Sequence, residues 1–159
     1  MCTVKFKNGN LLDAPELMKV HQVNCKGVMG GGIAKQIKER YPLVYKTYLN
    51  LCKRKKDDHE LLGNAQTVRY FDDDQVFINL FSQYDYGTDK QQTDYAAMEE
   101  GLNKLKYILN YVDEYRFYDE IAFPHSIGCG LAGGNWDIVQ SLIFKVFEDW
   151  DGTIVFYKL

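Results

Sequence analysis

Two glycine-rich stretches hold the residues whose types and spacing suit chemistry. The first, Asn24-Cys25-Lys26-Gly27-Val28-Met29-Gly30-Gly31-Gly32, runs into a segment with helical periodicity. Three adjacent glycines let backbone amides converge on an anion without interference from Cβ atoms, and the positive end of the following helix adds to the same point. A phosphate or diphosphate is the natural guest, with a tight turn packed on a neighbouring strand as the alternative for this segment alone. The second stretch, Pro124-His125-Ser126-Ile127-Gly128-Cys129-Gly130-Leu131-Ala132-Gly133-Gly134-Asn135-Trp136, also passes from a strand to a helix. Two such loops in one small sheet could clamp the two sides of a diphosphate. Neither is followed by Gly-Lys-Ser/Thr, and neither has GxGxxG spacing with a later ribose-binding acid, which disfavours ATP hydrolysis and dinucleotide redox chemistry.

A hydrolytic site also needs an activator of water or a nucleophile. His21 stands three residues before Asn24 and is one candidate. Strand alternation puts His21 and Val23 on one face and Gln22 and Asn24 on the other, so a core role for His21 stays open beside a catalytic one. Asp85 could act as a general base or hold a ribose hydroxyl, or be a solvated loop acid. His125 could contact phosphate or pack its loop. Cys129, between two glycines near a helix start, could be a stabilised thiolate or a small packing residue. No metal-ligand cluster is visible, so neither a metal nor a cofactor is expected.

The elements that must position these residues follow from periodicity. Strands are expected at Thr3–Lys7, Lys19–Asn24, Ala65–Tyr70, Gln75–Leu80, Glu120–Pro124 and Thr153–Tyr157. Asp72-Asp73-Asp74 makes the third and fourth a hairpin. Helices are expected from Ile33 to the stop at Tyr41-Pro42, over Leu43–Lys53, over Thr93–Tyr115 with Thr93 as cap, and over Trp136–Phe147. Softer loops fall near Lys55–Gly63 and Tyr84–Thr93. Alternating strands and helices predict an α/β fold with a mixed central sheet covered on both faces, and ligands in such sheets bind beyond the carboxyl ends of the strands.

At 159 residues with 46% hydrophobic content, one domain spanning 1–159 is expected. A net charge of -3 argues against an electrostatic nucleic-acid surface, and the basic run Lys53-Arg54-Lys55-Lys56 is answered at once by Asp57 and Asp58. The four scattered cysteines form no CxxC pair and read as reduced thiols. No export signal opens the chain, and no apolar run approaches the ~18 residues that span a bilayer, so a cytoplasmic monomer without membrane or nucleic-acid partners is expected.

Several separated motifs in order carry a family resemblance over nearly the whole chain: NGNLLD, HQVNCKGVMGGGIAKQIKERYP, NLFSQYDYG, IAFPHSIGCGLAGGNW and TIVFYKL. The sequence resembles a macrodomain, in the subgroup that includes the yeast ADP-ribose 1″-phosphate phosphatase and related phage proteins. The resemblance implies a three-layer α/β/α fold and ADP-ribose or ADP-ribose 1″-phosphate as small-molecule ligand. It places Gly9, Asn10 and Leu11 at the adenine, with Asn10 where most macrodomains have an aspartate. Asn24 then faces the distal ribose, Gly30 to Ala34 (with Gly31, Gly32 and Ile33) bind the diphosphate and approach the distal ribose, and Ile127 to Gly133 close over the phosphates, with Gln22, Val23, Met29 and Ser126 as further ligand-binding candidates. His21, Asn24 and Asp85 are the catalytic candidates. In the related group that removes ADP-ribose from glutamate, a lysine and an aspartate act where this chain has Gln83 and Ala132, so a lysine-adduct mechanism is not supported. The implied activity is phosphate removal from ADP-ribose 1″-phosphate, with a non-catalytic binding module, or hydrolysis of ester-linked or O-acetyl-ADP-ribose, as alternatives.

Overall fold

Runs of β-branched and aromatic residues build six strands: β1 (Thr3–Asn8), β2 (Met18–Val23), β3 (Ala65–Arg69), β4 (Val76–Phe81), β5 (Glu120–Pro124) and β6 (Thr153–Lys158). They interleave with helices α1 (Gly32–Arg40), α2 (Pro42–Arg54), α3 (Tyr95–Tyr111) and α4 (Trp136–Phe147). The computed structural model describes residues 1–55 and 57–159; Lys56, the end of the basic run, lies outside the described residues. The strands form one sheet in the order β1-β6-β5-β2-β4-β3, parallel throughout except for the β3–β4 hairpin. The sheet is therefore mixed, as expected.

Burial on both faces explains why VFINLF of β4 is apolar at all but one position rather than alternating. On one face Val23, Phe77 and Phe81 pack with Ile37, Val44 and Tyr48 of α1 and α2. On the other, Val20, Ile78 and Leu80 pack with Met98, Leu102 and Leu105 of α3 and Val139, Ile143 and Phe147 of α4. The result is a three-layer α/β/α architecture. From β2 the chain goes to β4 on one side, while β5 and β6 are added on the other. The connections thus diverge between β2 and β5, which opens a crevice at the carboxyl ends of the strands.

Local differences from the sequence reading have physical causes. Asp94, not Thr93, caps α3, its carboxylate accepting from Ala97 N at 3.0 Å. The Thr93 hydroxyl instead donates to Gly128 O at 2.6 Å, a tertiary bond invisible to local pattern. Helix α3 stops at Tyr111, because Val112 is extended and Asp113–Tyr115 form a separate 3-10 turn. The segment expected to be a soft loop after Lys55 contains a 3-10 turn, Asp58–Leu61, capped by Asp57. No helix among the described residues is long and apolar enough to cross a membrane.

Candidate functional site

At the crevice lies a cavity of about 580 Å³. One wall is the end of β2, Gln22, Val23 and Asn24, followed by Val28 and Gly30 to Ala34. The facing wall is Pro124 to Gly128 with Gly130, Leu131 and Ala132, and Gln83, Tyr86, Gly87 and Thr88 close one end. The two glycine loops do face one another, since a Cβ built on Gly31 would sit 2.8 Å from Leu131 Cδ1. Gly31 precedes α1 without any side-chain cap, so first-turn amides of α1 are left without intrahelical acceptors beside the cavity. Those amides and the helix dipole are what an anion there would meet.

The second loop is held by the segment that leads into α3. Gly128 has φ 75, and a Cβ on it would lie 2.9 Å from Gln22 Oε1 and 3.1 Å from Thr93 Oγ1. Gly134 N donates to Gly128 O at 2.8 Å, and Gln92 N to Ala132 O at 2.8 Å. Beneath the cavity the Gln22 amide donates to Gln83 Oε1 at 2.7 Å and Thr93 Oγ1 at 3.0 Å, while Ser82 Oγ donates to Gln22 Oε1 at 2.6 Å. The ends of β2 and β4, the entry to α3 and the second glycine loop are thereby tied into one polar network.

Asn24 is 6% exposed and lines the cavity, but its carboxamide is largely engaged by its own loop. Oδ1 accepts from Lys26 N at 2.9 Å and from the Tyr48 hydroxyl at 2.8 Å, and Nδ2 donates to Val28 O at 2.7 Å. One amide hydrogen remains for a ligand. Asn24 therefore shapes the 24–28 turn first.

Two of the proposed catalytic side chains lie elsewhere. His21 is fully buried in the α1/α2-facing layer, with Nε2 2.6 Å from Asn79 Oδ1, and it does not reach the cavity. Alternation along β2 turns it away from Gln22, and desolvation pushes its pKa down to about 4. Asp85 is half-buried outside the cavity wall, with its carboxylate accepting from Tyr86 N at 2.7 Å. A water-activating role for either is corrected accordingly. Cys129 is not an activated thiol: burial pushes it up to about 11, and its Sγ points to Ile127 O at 3.4 Å.

Of the binding candidates, Gln22, Val23, Asn24, Gly30, Gly31, Gly32, Ile33, Ala34, Ser126, Ile127, Gly128, Gly130, Leu131 and Ala132 line the cavity. Met29 is buried in the core under α1 and α2, and neither Cys129 nor Gly133 belongs to the wall. Gly9, Asn10 and Leu11 also stand outside the wall. Asn10 Oδ1 caps a short 3-10 turn by accepting from Leu12 N at 3.0 Å, and Leu11 packs in a small core against which Ile33 rests. Gly87 and Thr88 carry no local signal as wall residues, since only the path of the chain after β4 brings them there beside Tyr86.

Outside the cavity wall, Lys26 Nζ donates to Asp58 Oδ2 at 2.8 Å and to Tyr84 Oη at 2.9 Å, and the Tyr84 hydroxyl donates to Asp58 Oδ1 at 2.6 Å. Asp57, Asp58 and His59 bring ligand-type atoms within 4.8 Å of one another. Asp58 is already committed to Lys26 and Tyr84, which makes this a clasp between loops.

The macro domain family model matches residues 20–143, so the chain belongs to the macro domain family. It is 31% identical over 153 residues to a DNA ADP-ribosyl glycohydrolase of Thermus aquaticus, covering 96% of this chain and 40% of that protein. It is 28% identical over 180 residues to the ADP-ribose 1″-phosphate phosphatase of Saccharomyces cerevisiae, covering 98% and 97% of the two chains. The solved macrodomain of Mycobacterium tuberculosis DarG superposes with a TM-score of 0.82 at 28% identity, covering 98% of this chain and 97% of that one. The chain spans about two fifths of the glycohydrolases it matches, and nearly all of the yeast phosphatase.

Proposed function

We propose that this chain binds ADP-ribose derivatives in the cavity and hydrolyses the terminal phosphate of ADP-ribose 1″-phosphate. The observation that carries the reading is the pair of glycine loops facing each other across an uncapped helix N-terminus, beside the single remaining amide hydrogen of Asn24. That arrangement suits a diphosphate flanked by a hydroxyl-rich sugar. The full-length similarity to the yeast phosphatase supports the choice of substrate. Catalysis would be positional and electrostatic: amides hold the phosphoryl oxygens while a placed water attacks phosphorus. By the resemblance Gln83 falls where the glutamate-directed relatives have a lysine, and its amide donates to Asp85 O at 2.7 Å. An amide is no nucleophile, so a lysine-adduct route has no support in this chain.

One observation favours a second reading, a non-catalytic binding module: with His21 in the core and Asp85 off the wall, the described residues lining the Asn24–Gln83 end include no side-chain base for water. Phosphate release from ADP-ribose 1″-phosphate, measured with and without chelator beside calorimetry with ADP-ribose, separates the two. Metal-independent release is expected. Tight binding with no release in either condition replaces the phosphatase with the binding module, and no binding removes both.

A further inference from the structure

Tyr48, on α2, is fully buried and stands outside the cavity wall, yet its hydroxyl reaches the turn that carries Asn24. Its spacing of four from Val44 sets it on the core face of the helix, where its ring packs on Phe81 with centroids 5.8 Å apart. Gly27 lets the turn come close: its φ is 81, and a Cβ built on it would lie 3.1 Å from Leu49 Cδ1 of the same helix. At that approach Gly27 N donates to Tyr48 Oη at 3.1 Å, and the hydroxyl has Asn24 O and Asn24 Oδ1 as acceptors, both at 2.8 Å. Burial pushes the Tyr48 pKa well above its ordinary value, so the phenol keeps its hydrogen and remains a donor at neutral pH.

The consequence falls on Asn24. A carboxamide can offer a ligand either its oxygen or its amino group, and its surroundings decide which. Around Asn24 Oδ1 stand three donors: Lys26 N at 2.9 Å, Val28 N at 3.4 Å and the Tyr48 hydroxyl at 2.8 Å. Nδ2 meets an acceptor, Val28 O, at 2.7 Å. Turning the amide over would set its amino group against those donors and its oxygen against a carbonyl. Of the three donors, Tyr48 alone belongs to another element, so it ties the amide to α2 as well as to its own turn. What the carboxamide has left for a ligand is one hydrogen on Nδ2.

We propose that Tyr48 is a positioning residue of the site: its hydroxyl, acting through Asn24 Oδ1, holds the carboxamide so that it presents a donor to the distal ribose. The inference rests on the reading of the cavity as an ADP-ribose site with that sugar at Asn24. Calorimetry on Tyr48→Phe with ADP-ribose and with ADP, which lacks the distal ribose, tests it. The ring and its packing on Phe81 are kept, so the folded variant should bind ADP-ribose about threefold to tenfold more weakly, the scale of one neutral hydrogen bond, and ADP within about twofold of wild type. Tyr45→Phe removes a hydroxyl that donates to Gly27 O at 3.4 Å without touching Asn24, and should bind both ligands as wild type does. An unchanged affinity for ADP-ribose in Tyr48→Phe, an equal loss for the two ligands, or the same loss in Tyr45→Phe overturns the positioning role. Nuclear magnetic resonance of the wild-type chain serves if Tyr48→Phe does not fold: the Tyr48 hydroxyl proton should shift with ADP-ribose and not with ADP, and equal responses overturn the role. Absence of any binding of ADP-ribose to the wild-type chain overturns the functional reading as well.

Discussion

Protonating His21 should destabilise the fold without touching the site. In the unfolded chain the imidazole titrates near 6.5, whereas in the folded core, desolvated and bonded to Asn79, it titrates near about 4. The folded pKa is depressed, so the stabilisation is complete above pH 6.5 and is lost as pH falls from 6.5 towards 4, where only the unfolded chain takes the proton. At 1.36 kcal/mol per pH unit, this single group removes about 3 kcal/mol across that window. His21→Gln keeps an amide donor for Asn79 Oδ1 and removes the titration. Urea unfolding followed by circular dichroism at pH 7.5, 6, 5 and 4 would read the difference. The variant should start lower at pH 7.5, by about 1–2 kcal/mol for imperfect packing, and lose about 3 kcal/mol less than wild type on acidification. Its ADP-ribose affinity and phosphate release at pH 7.5 should match wild type within about twofold. Parallel pH profiles for the two proteins would refute the buried, neutral histidine. A folded variant without activity would return His21 to the chemistry.

Two further substitutions test the cavity. Gly31→Ala has an allowed backbone, φ -151, but its methyl would meet Leu131 across the cleft at 2.8 Å; a loss of ADP-ribose affinity of about tenfold or more is expected by calorimetry, with stability changed by less than about 1 kcal/mol. Asn24→Ala removes the side-chain acceptor of Lys26 N and the donor to Val28 O, while the Tyr48 hydroxyl keeps Asn24 O as acceptor at 2.8 Å, so thermal unfolding should report a loss of about 1–3 kcal/mol together with loss of ligand binding, whereas a variant of wild-type stability would show that Asn24 does not hold the 24–28 turn.

Much of the architecture was legible in the sequence because it follows from local physics. The 3.6-residue spacing of Met98, Leu102, Leu105 and Leu109 announces α3, and the apolar runs of β4, β5 and β6 announce buried strands. Gly30 to Gly32 before a helix announces a bare-backbone loop, and the structure puts that loop in the cavity wall. Alternation along β2 even separates His21 from Gln22, and the structure puts them on opposite faces of the sheet. The end of α3 and its cap were less legible, since Thr93 and Asp94 are both good caps and only a tertiary acceptor, Gly128 O, distinguishes their tasks.

What the sequence determined by itself is the set of elements, their order and the two loops that could receive phosphates. Those depend on interactions within a few residues, which periodicity and residue type record. What only the tertiary structure decided is which side chains share the cavity. The divergence of connections between β2 and β5 places Asn24 opposite Ile127, and the chain leaving β4 carries Tyr86 to Thr88 into the wall. The same packing sends His21 into the core and turns Asp85 aside. Convergence of residues a hundred positions apart is a property of how strands are ordered in the sheet, and strand order is set by packing the whole sheet against both helical layers, not by any local pattern.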